Sequence, residues 1–311
     1  GALLGAGASL IGIGSDIAGS IRLPAAINGV FGHKPTPKMI STKGHFPIGQ
    51  DEKYSEFMVI GPLVRYAVDF KLIMNIMCGS RISSDLELIH PVDISKLNVY
   101  YVEGLNLRYC LPRVAKEIVC AIKKSVSHLK SCGATIHNCD FEELKDVTAV
   151  CGSALFSLKD IPNVFKGEHT PFIIELLKAA LGKSKFTFNL MHFYVLQMIY
   201  KYVVPDYSIE NSKLKAYMLD KLGDNGIMIL PTFTDTTLRH NHTCLKNGYA
   251  YLILANALGL PATSIPCGFD KNGMPIGIQV IAAPFQDRLC FAVAEELERR
   301  FGGWIPPPEK G

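Results

Sequence analysis

The chain has 311 residues, of which 48% are hydrophobic and 19% charged, and its formal net charge is +4. This composition argues against a disordered chain and supplies enough apolar residues for a sizeable core. The small net charge, without any dense run of Lys and Arg, argues against a nucleic-acid partner. The length allows one large domain or two smaller ones.

The nine cysteines are scattered, form no Cys-x-x-Cys pair and are odd in number. This usage favours a reduced, cytosol-facing environment with mostly buried thiols over a disulfide framework. The segment His240–Cys244 contains a glycosylation sequon at Asn241 and residue types that bind metals. We interpret the sequon as a chance match and the segment as a polar loop, because no second cluster completes a metal site.

The chain opens on an apolar run, GALLGAGASLIGIG, which lacks a basic segment and is too short for a bilayer span of ~20 residues. We predict a helix that leads into a buried strand, followed by a Gly/Ser loop and a helical turn at Pro24–Ala26. Because such elements belong to the interior of a fold, the chain is expected to be a fragment. Any membrane anchor would then lie upstream of Gly1.

A mixed loop is expected between Pro35 and Gly61, and the apolar spacing from Val64 to Ile76 predicts a helix after Gly61-Pro62-Leu63. Further on, a strand at 97–102, a helix from Pro112 that is capped by Gly133, and a strand at 134–137 form a β-α-β pattern. This pattern predicts an α/β fold with a mixed, mostly parallel twisted sheet that helices cover on both faces.

Residues 155–204 are dominated by Phe, Leu, Ile, Met and Tyr. Ordinary core helices would explain them. The alternative is a lining for an apolar ligand or a patch that touches a membrane, since Lys178, Lys183, Lys185 and Lys201 would suit an anionic lipid surface. The side chains assigned to such a substrate channel are Phe172, Ile173, Leu176, Leu177, Phe188 and Met191. No stretch within these residues is continuously apolar over a length that could span a bilayer.

The last part of the chain alternates between short strands and helices. A helix at 213–223 and a strand at 227–231 come first, and a helix at 249–258 ends at Gly259. Strands at 263–266 and 276–281 flank a turn at Asp270–Gly273, and Asp287 is predicted to cap a final helix over 288–301.

The stretch Gly12–Thr36 concentrates the candidate chemistry, and it reads GIGSDIAGSIRLPAAINGVFGHKPT. Gly14, Ala18 and Gly19 leave almost no side-chain bulk around Ser20, so another molecule can approach the backbone closely. Such a run also allows successive amides to converge on one anionic atom. The alternative is a Gly-rich turn between two buried elements.

Three familiar loop motifs do not fit this stretch. A phosphate-binding loop would need Lys before Ser20, the dinucleotide pattern fails at Ile17, and the nucleophile elbow G-x-S-x-G fails at Arg22. A formal S-x-x-K pair, Ser127 with Lys130, falls inside an amphipathic helix and is not assigned a catalytic role.

The same stretch resembles the amidase signature family, whose core loop runs G-T-D-x-G-G-S-I-R-x-P and ends in G-x-K-P-T. Other parts of the chain match the family's pattern as well, namely Gly61-Pro62-Leu63, Leu230-Pro231-Thr232, the run Asn256–Pro266, Pro275–Gln279 and Asp287. With its apolar middle segment, residues 155–204, the chain resembles the fatty-acid amide hydrolases most within this family. The resemblance implies one amidase domain over 1–311, with a signature core at 1–80, substrate- or membrane-facing helices at 155–204 and a C-terminal core at 226–300.

The resemblance also implies roles for individual residues in a Ser-cis-Ser-Lys mechanism without a cofactor or metal. Ser20 aligns with the nucleophile that forms an acyl-enzyme. The backbone amides of Ile17, Ala18, Gly19 and Ser20 align with the oxyanion hole, and Asp16 and Arg22 align with loop-ordering residues. Three positions depart from the family pattern, which are Ser15, His33 and Ala18, where Thr, an aliphatic residue and Gly are usual.

The bridging Ser belongs to a G-S-S-G-G segment that is expected upstream of Gly1, and the base Lys is expected further upstream. Lys34 is close in sequence but is not assigned as the base. The implied activity is hydrolysis of fatty-acid amides at a cytosol-facing membrane or lipid-droplet surface, with a homodimer left open. A non-catalytic fragment or splice product that binds lipid or a partner, and a glutamine amidotransferase-type subunit, are the alternatives. The isolated chain is expected to be inactive.

Overall fold

An eight-stranded sheet runs through the part of the chain that the computed structural model describes, residues 1–46, 52–105, 113–137, 144, 146–158, 172–236 and 248–307. The strands are β1 (Ile11–Asp16), β2 (Phe31–Lys34), β3 (Val59–Val64), β4 (Asn98–Tyr101), β5 (Thr135–His137), β6 (Gly226–Pro231), β7 (Ala262–Phe269) and β8 (Pro275–Ala282). Their order across the sheet is β1-β3-β2-β7-β8-β6-β4-β5. Pro112 and the segment His240–Cys244 lie outside the described residues, as does the side chain of Phe188.

The sheet is mixed, as predicted, but the expectation of mostly parallel strands is wrong. Among the described strands, β4 runs parallel to β5 and to β6, whereas the other neighbouring pairs are antiparallel. The prediction extended one β-α-β unit to the whole sheet. A parallel pair needs a crossover of about a dozen residues or more, whereas a tight turn joins β7 to β8, closed by a 2.8 Å hydrogen bond from the Asp270 amide to the Met274 carbonyl.

Helices cover both faces of the sheet, as predicted. They are α1 (Ala2–Gly5), α2 (Arg22–Ile27), α3 (Glu52–Phe57), α4 (Asp69–Cys78), α5 (Ser80–Asp85), α6 (Lys116–Ser131), α7 (Val147–Phe156), α8 (Phe172–Ala180), α9 (Phe188–Val203), α10 (Ser208–Leu222), α11 (Tyr249–Ala257) and α12 (Asp287–Phe301). Successive residues of β6 alternate between two hydrophobic clusters, one on each face of the sheet. Ile227 and Ile229 pack with α4, α6 and α12, whereas Met228 and Leu230 pack with α7, α10 and α11. This alternation is what a strand buried on both faces requires.

The unit β4-α6-β5 follows the sequence pattern closely. Helix α6 buries one stripe of side chains against the sheet, with Ile118, Ile122 and Leu129 among them. It ends at Gly133, whose φ of +97° suits a residue without Cβ. The amides of Gly133 and Ala134 donate to the carbonyls of Lys130 and Leu129 at 3.0 and 3.1 Å, which is a Schellman cap. The predicted role of Gly133 is therefore confirmed.

The sequence did not predict strands β2 and β3, nor helix α3, which lies within the expected loop between Pro35 and Gly61. All four residues of β2 are buried, and β3 lies between β1 and β2. Gly61 and Pro62 lie inside β3, and both residue types normally weaken or interrupt a strand. Gly61 and Pro62 therefore indicated a loop from the local sequence, whereas pairing with β1 and β2 makes this segment a strand.

Trp304 connects the two ends of the described chain. Its indole N–H donates to the Gly5 carbonyl at 3.0 Å. The Arg65 guanidinium lies over the indole, 4.7 Å from the ring centroid, and the Tyr66 ring packs edge-on at 6.1 Å. The segment after α12 is thus held against the turn that follows α1.

Candidate active site

The loop between β1 and α2 carries Ser20, and its shape depends on Gly19. Gly19 adopts φ +103°, a conformation that side chains with Cβ rarely tolerate. A Cβ at this position would lie 2.4 Å from Cδ1 of the buried Leu252. The loop therefore turns sharply against α11, and Gly is required there for both backbone and steric reasons.

Asp16, the last residue of β1, holds the loop from below. One carboxylate oxygen, Oδ1, accepts from the Gly19 amide at 2.7 Å and from Nη2 of Arg22 at 3.0 Å. The other oxygen accepts from the Ile21 amide at 3.2 Å and from Nε of Arg22 at 3.1 Å. Both side chains are fully buried. This arrangement supports the loop-ordering roles that the resemblance assigned to Asp16 and Arg22.

Arg22 extends the same network to two distant elements. Its Nη1 donates to Oε1 of Gln279 on β8 at 2.9 Å, and its Nη2 donates to Oδ1 of Asn256 on α11 at 2.7 Å. Asn256 in turn donates to the Asp16 carbonyl at 3.0 Å. Sequence reasoning placed Asn256 and Gln279 in matching motifs without giving either a role, and they now lie directly behind the Ser20 loop.

The charge balance at Asp16 explains how a carboxylate can be buried here. Burial alone would raise its pKa, but the charge and hydrogen bonds of Arg22, with smaller help from Lys34 and the Gly19 amide, lower the pKa to about 2. The carboxylate is therefore ionised at neutral pH. A buried, ionised and fully hydrogen-bonded pair fixes the loop in one geometry.

Ser20 itself is exposed, and its hydroxyl has no hydrogen-bond partner within the described residues. Of the four amides predicted to form an oxyanion hole, the Gly19 amide donates to Asp16 instead, because the carboxylate folds back under the turn. The amides of Ile17, Ala18 and Ser20 make no hydrogen bond to the described part of the chain. For these three amides, the oxyanion hole stays a prediction.

A second buried polar cluster lies beside the first and was not predicted. His33 on β2 lies between Oγ1 of Thr263, at 2.8 Å from Nδ1, and Oδ1 of Asp287, at 3.0 Å from Nε2. Burial lowers the pKa of His33 against the opposing effect of Asp287, so the ring is neutral at neutral pH. Nε2–H then donates to Asp287, and Nδ1 accepts from Thr263.

Asp287 begins α12, but it does not cap the helix as predicted. Its carboxylate instead accepts from the Thr36 amide at 2.9 Å and from the Thr36 hydroxyl at 2.6 Å. Burial acts to raise its pKa, but the hydrogen bonds from His33 and Thr36 outweigh that effect and hold the pKa below its usual value. Asp287 therefore ties the end of β2 to α12. Sequence spacing could not show this contact, because 251 residues separate the two partners.

The residues predicted to line a substrate channel do not share one environment. Ile173 and Leu177 on α8 are exposed, whereas Met191 on α9 is buried. Phe172 and Leu176 are half-buried, and the Phe172 ring lies 6.4 Å from that of Tyr194. Helix α8 packs on α9, α9 on α7, and α7 on α11. Through these contacts α8 is connected to the Ser20 loop by way of other helices, and the channel assignment stays a prediction. None of the described helices is long and apolar enough to span a membrane.

A cleft of ≈ 530 Å³ lies next to the buried network, lined by Phe57, Asn256 and Tyr207 among others. Ser20 is not among its lining residues. Because Ser20 does not line this cleft, we assign the candidate chemistry to the Ser20 loop and not to the cleft.

A family model described as Amidase matches residues 1–291. The chain belongs to the amidase family. The resemblance drawn from the Ser20 loop is thereby confirmed, and the Asp16–Arg22–Asn256 network is the internal support of an amidase loop.

Individual relatives agree with the family match. Fatty-acid amide hydrolase 2 of Homo sapiens is 35% identical over 99% of this chain and 60% of its own length. A glutamyl-tRNA(Gln) amidotransferase subunit of Ruminiclostridium cellulolyticum is 25% identical over 96% of this chain and 66% of its own length. The chain spans about 60% of the length of the curated fatty-acid amide hydrolases that it matches.

Solved structures share the same fold. The crystal structure of a glutamyl-tRNA(Gln) amidotransferase subunit from Thermotoga maritima superposes with a TM-score of 0.69 at 19% identity, covering 99% of this chain and 67% of its own. At this level of identity the similarity shows the fold alone. The expectation of an amidase-type α/β fold is confirmed.

Proposed function

We propose that this chain carries the nucleophile of an amidohydrolase that cleaves fatty-acid primary amides and N-acyl amines. The observation that carries the proposal is Ser20, an exposed hydroxyl on a turn that the buried Asp16–Arg22 pair holds in place. A reactive group needs this combination, because the substrate must reach it while its surroundings stay fixed.

The proposed reaction has two steps. Ser20 Oγ attacks the amide carbonyl, its proton passes to a base, and the negative charge on the carbonyl oxygen is stabilised by backbone amides of Ile17, Ala18 and Ser20. The C–N bond then breaks, the amine leaves with a proton, and water hydrolyses the acyl-enzyme. In the family pattern the base is a Lys that acts through a Ser of a G-S-S-G-G segment, and the 311 residues contain no such segment.

Two observations favour an apolar acyl chain as the substrate. The identity to a fatty-acid amide hydrolase, 35%, exceeds the 25% to an amidotransferase protein. Helix α8 and the turn that follows it also present exposed apolar side chains, with Ile173, Leu177 and Leu181 at 60%, 61% and 72% exposure. These side chains suit a lipid surface from which an apolar substrate would come, whereas a small polar substrate such as glutamine would not require them.

Labelling by an alkyl fluorophosphonate tests the nucleophile. In the full-length protein, Ser20→Ala is expected to abolish covalent labelling, because the probe reacts with an activated serine. Ser9→Ala is the control, since Ser9 is a partly exposed serine near the loop whose hydroxyl donates to the Ile11 carbonyl at 2.7 Å. Equal labelling of Ser20→Ala and wild type would show that another residue is the nucleophile.

A further inference from the structure

A cluster of three different metal-binding side chains lies where α6 meets α12, outside the candidate active site. His128 comes from the last turn of α6, Cys132 is the residue directly after this helix, and Glu296 comes from α12. One ligand atom from each lies within 4.8 Å of the others. Nothing in the proposed amide hydrolysis uses these residues.

The distances between the ligand atoms are close to those of a tetrahedral zinc centre. The Cys132 sulfur lies 3.5 Å from Oε1 of Glu296 and 3.7 Å from Nε2 of His128. Zinc bonds of about 2.3 Å to sulfur and about 2.0–2.1 Å to nitrogen and oxygen place tetrahedral ligands roughly 3.3–3.6 Å apart. The third separation, 2.7 Å between Nε2 and Oε1, is a hydrogen bond that would open by roughly 0.6 Å around an ion.

The backbone sets up this geometry. His128 and Cys132 are four residues apart, so they occupy the same face one helical turn apart. The Cys132 amide still donates to the His128 carbonyl at 3.1 Å, which extends the turn up to the thiol. Helix α6 ends at Ser131, and Cys132 is its cap residue in front of Gly133, so the sulfur lies at the helix end.

The surroundings of Glu296 direct one oxygen into the cluster. Arg299 engages the far oxygen, Oε2, and leaves Oε1 facing His128 and Cys132. Such a partner behind a carboxylate orients a metal ligand. The side chains of His128 and Glu296 are 22% and 15% exposed, so an ion and a water molecule can reach the cluster from solvent.

We infer that His128, Cys132 and Glu296 form a Zn²⁺ site with water as the fourth ligand. Imidazole, thiolate and carboxylate together are donors that zinc accepts, and a hydrogen-bonded His–Glu pair alone would not need the thiol. On binding, the Cys132 thiol releases its proton to solvent, and the His128 ring binds through the lone pair of Nε2. The ion joins two helices that are 164 residues apart in sequence at Cys132 and Glu296.

Cobalt substitution tests the site directly in the purified full-length protein. Co²⁺ is expected to produce tetrahedral d–d bands and a thiolate-to-cobalt charge-transfer band at one equivalent, and Zn²⁺ is expected to remove both. Cys132→Ser should lose the charge-transfer band. It should also lower the Zn²⁺ affinity by more than the roughly 10- to 100-fold that loss of an outer-shell partner costs. Cys120→Ser, an exposed thiol on the same helix, should behave as wild type.

Thermal unfolding supplies a second readout that needs no spectroscopic signal. Zn²⁺ should raise the unfolding midpoint of wild type and of Cys120→Ser, because a ligand that binds only the folded state stabilises it. The midpoint of Cys132→Ser should not respond. A wild-type protein without the cobalt bands, or a Cys132→Ser variant that keeps the charge-transfer band, would overturn the inference and leave a His128–Glu296 hydrogen bond.

Discussion

Lys34 shows at the residue scale how a buried position changes an ordinary side chain. It is fully buried at the end of β2, and its Nζ donates to the Pro35 carbonyl at 2.9 Å. Burial first, and then the positive charge of Arg22, lower its pKa to about 7, although Asp16 and Asp287 act in the opposite direction. The folded chain therefore holds Lys34 largely neutral at mildly alkaline pH.

This shift predicts a pH-dependent stability. Between pH 7 and about 10 the unfolded chain binds a proton at Lys34 that the folded chain has lost, so the free energy of unfolding should rise with pH. The slope from this one group is at most about 1.4 kcal/mol per pH unit. Denaturant unfolding of wild type and Lys34→Met across this range measures it, because Met keeps the apolar stem without the amine.

The comparison uses the difference between the two proteins, since buried cysteines and tyrosines also titrate at high pH. Lys38→Met is the control, because Lys38 is exposed and forms surface ion pairs with Glu52 and Glu56. If Lys34→Met and wild type keep the same pH slope, then Lys34 is charged in the folded protein and its pKa is not lowered.

The candidate site was predictable only where its residues lie close together in sequence. The motif around Ser20 indicated Asp16 and Arg22 through the family resemblance, and the structure joins them. The His33–Asp287 contact spans 254 residues, and no local pattern indicates it. Nor could sequence show that the Gly19 amide faces Asp16 rather than a substrate, since that depends on how one carboxylate folds under a turn.

At the scale of single elements, β3 depends on the absence of a side chain at Gly61. A Cβ there would lie 2.2 Å from the His33 carbonyl oxygen and 2.7 Å from Cδ of Pro35. Both neighbours belong to the backbone or ring of the adjacent β2 segment, so neither can rotate away. Gly61 therefore lets β3 approach the point where β2 ends.

Gly61→Ala should destabilise the protein by about 3 kcal/mol, the upper end of the overpacking range, because β2 or β3 must shift. Urea unfolding measures the change. Gly104→Ala provides the comparison, since the nearest atom to its Cβ would be Cγ2 of Val114 at 3.4 Å, an ordinary contact. A loss of less than about 0.5 kcal/mol at Gly61 would show that the two strands separate easily.

Most helices and the strands from β4 onward were more predictable than strands β2 and β3. Helix α6, strands β4 to β8 and helix α12 follow apolar periodicity and turn residues closely enough to be located from sequence. Strands β2 and β3 were not, because Gly61 and Pro62 give a loop signal that pairing with β1 and β7 overrides. The prediction of mostly parallel strands was wrong for the same reason, since strand direction depends on which distant strands become neighbours.

At the scale of the whole molecule, substrate choice separates the candidate functions. A longer protein that places the Lys and the G-S-S-G-G segment before this chain is expected to hydrolyse oleamide in preference to glutamine. The chain 1–311 alone is expected to hydrolyse neither, because none of its described residues accepts the Ser20 proton. Mass spectrometry of the released products measures the hydrolysis of oleamide and of glutamine by the longer protein and by the chain 1–311.

Two results would contradict this expectation in different ways. A preference for glutamine would favour an amidotransferase-type subunit. Turnover by 1–311 alone would show that a group within these residues takes the proton from Ser20. The Ser20→Ala variant of each protein is the control that separates this reaction from a contaminating hydrolase.

The contacts of Trp304 also provide an optical reporter. It is the one tryptophan in the sequence, so emission from indole comes from a single place, where the segment after α12 meets Gly5 and Arg65. Fluorescence therefore follows the local release of that junction, whereas circular dichroism follows the helices and the sheet. Coincident curves would describe one cooperative transition, and an earlier fluorescence change would describe an end that opens before the rest unfolds.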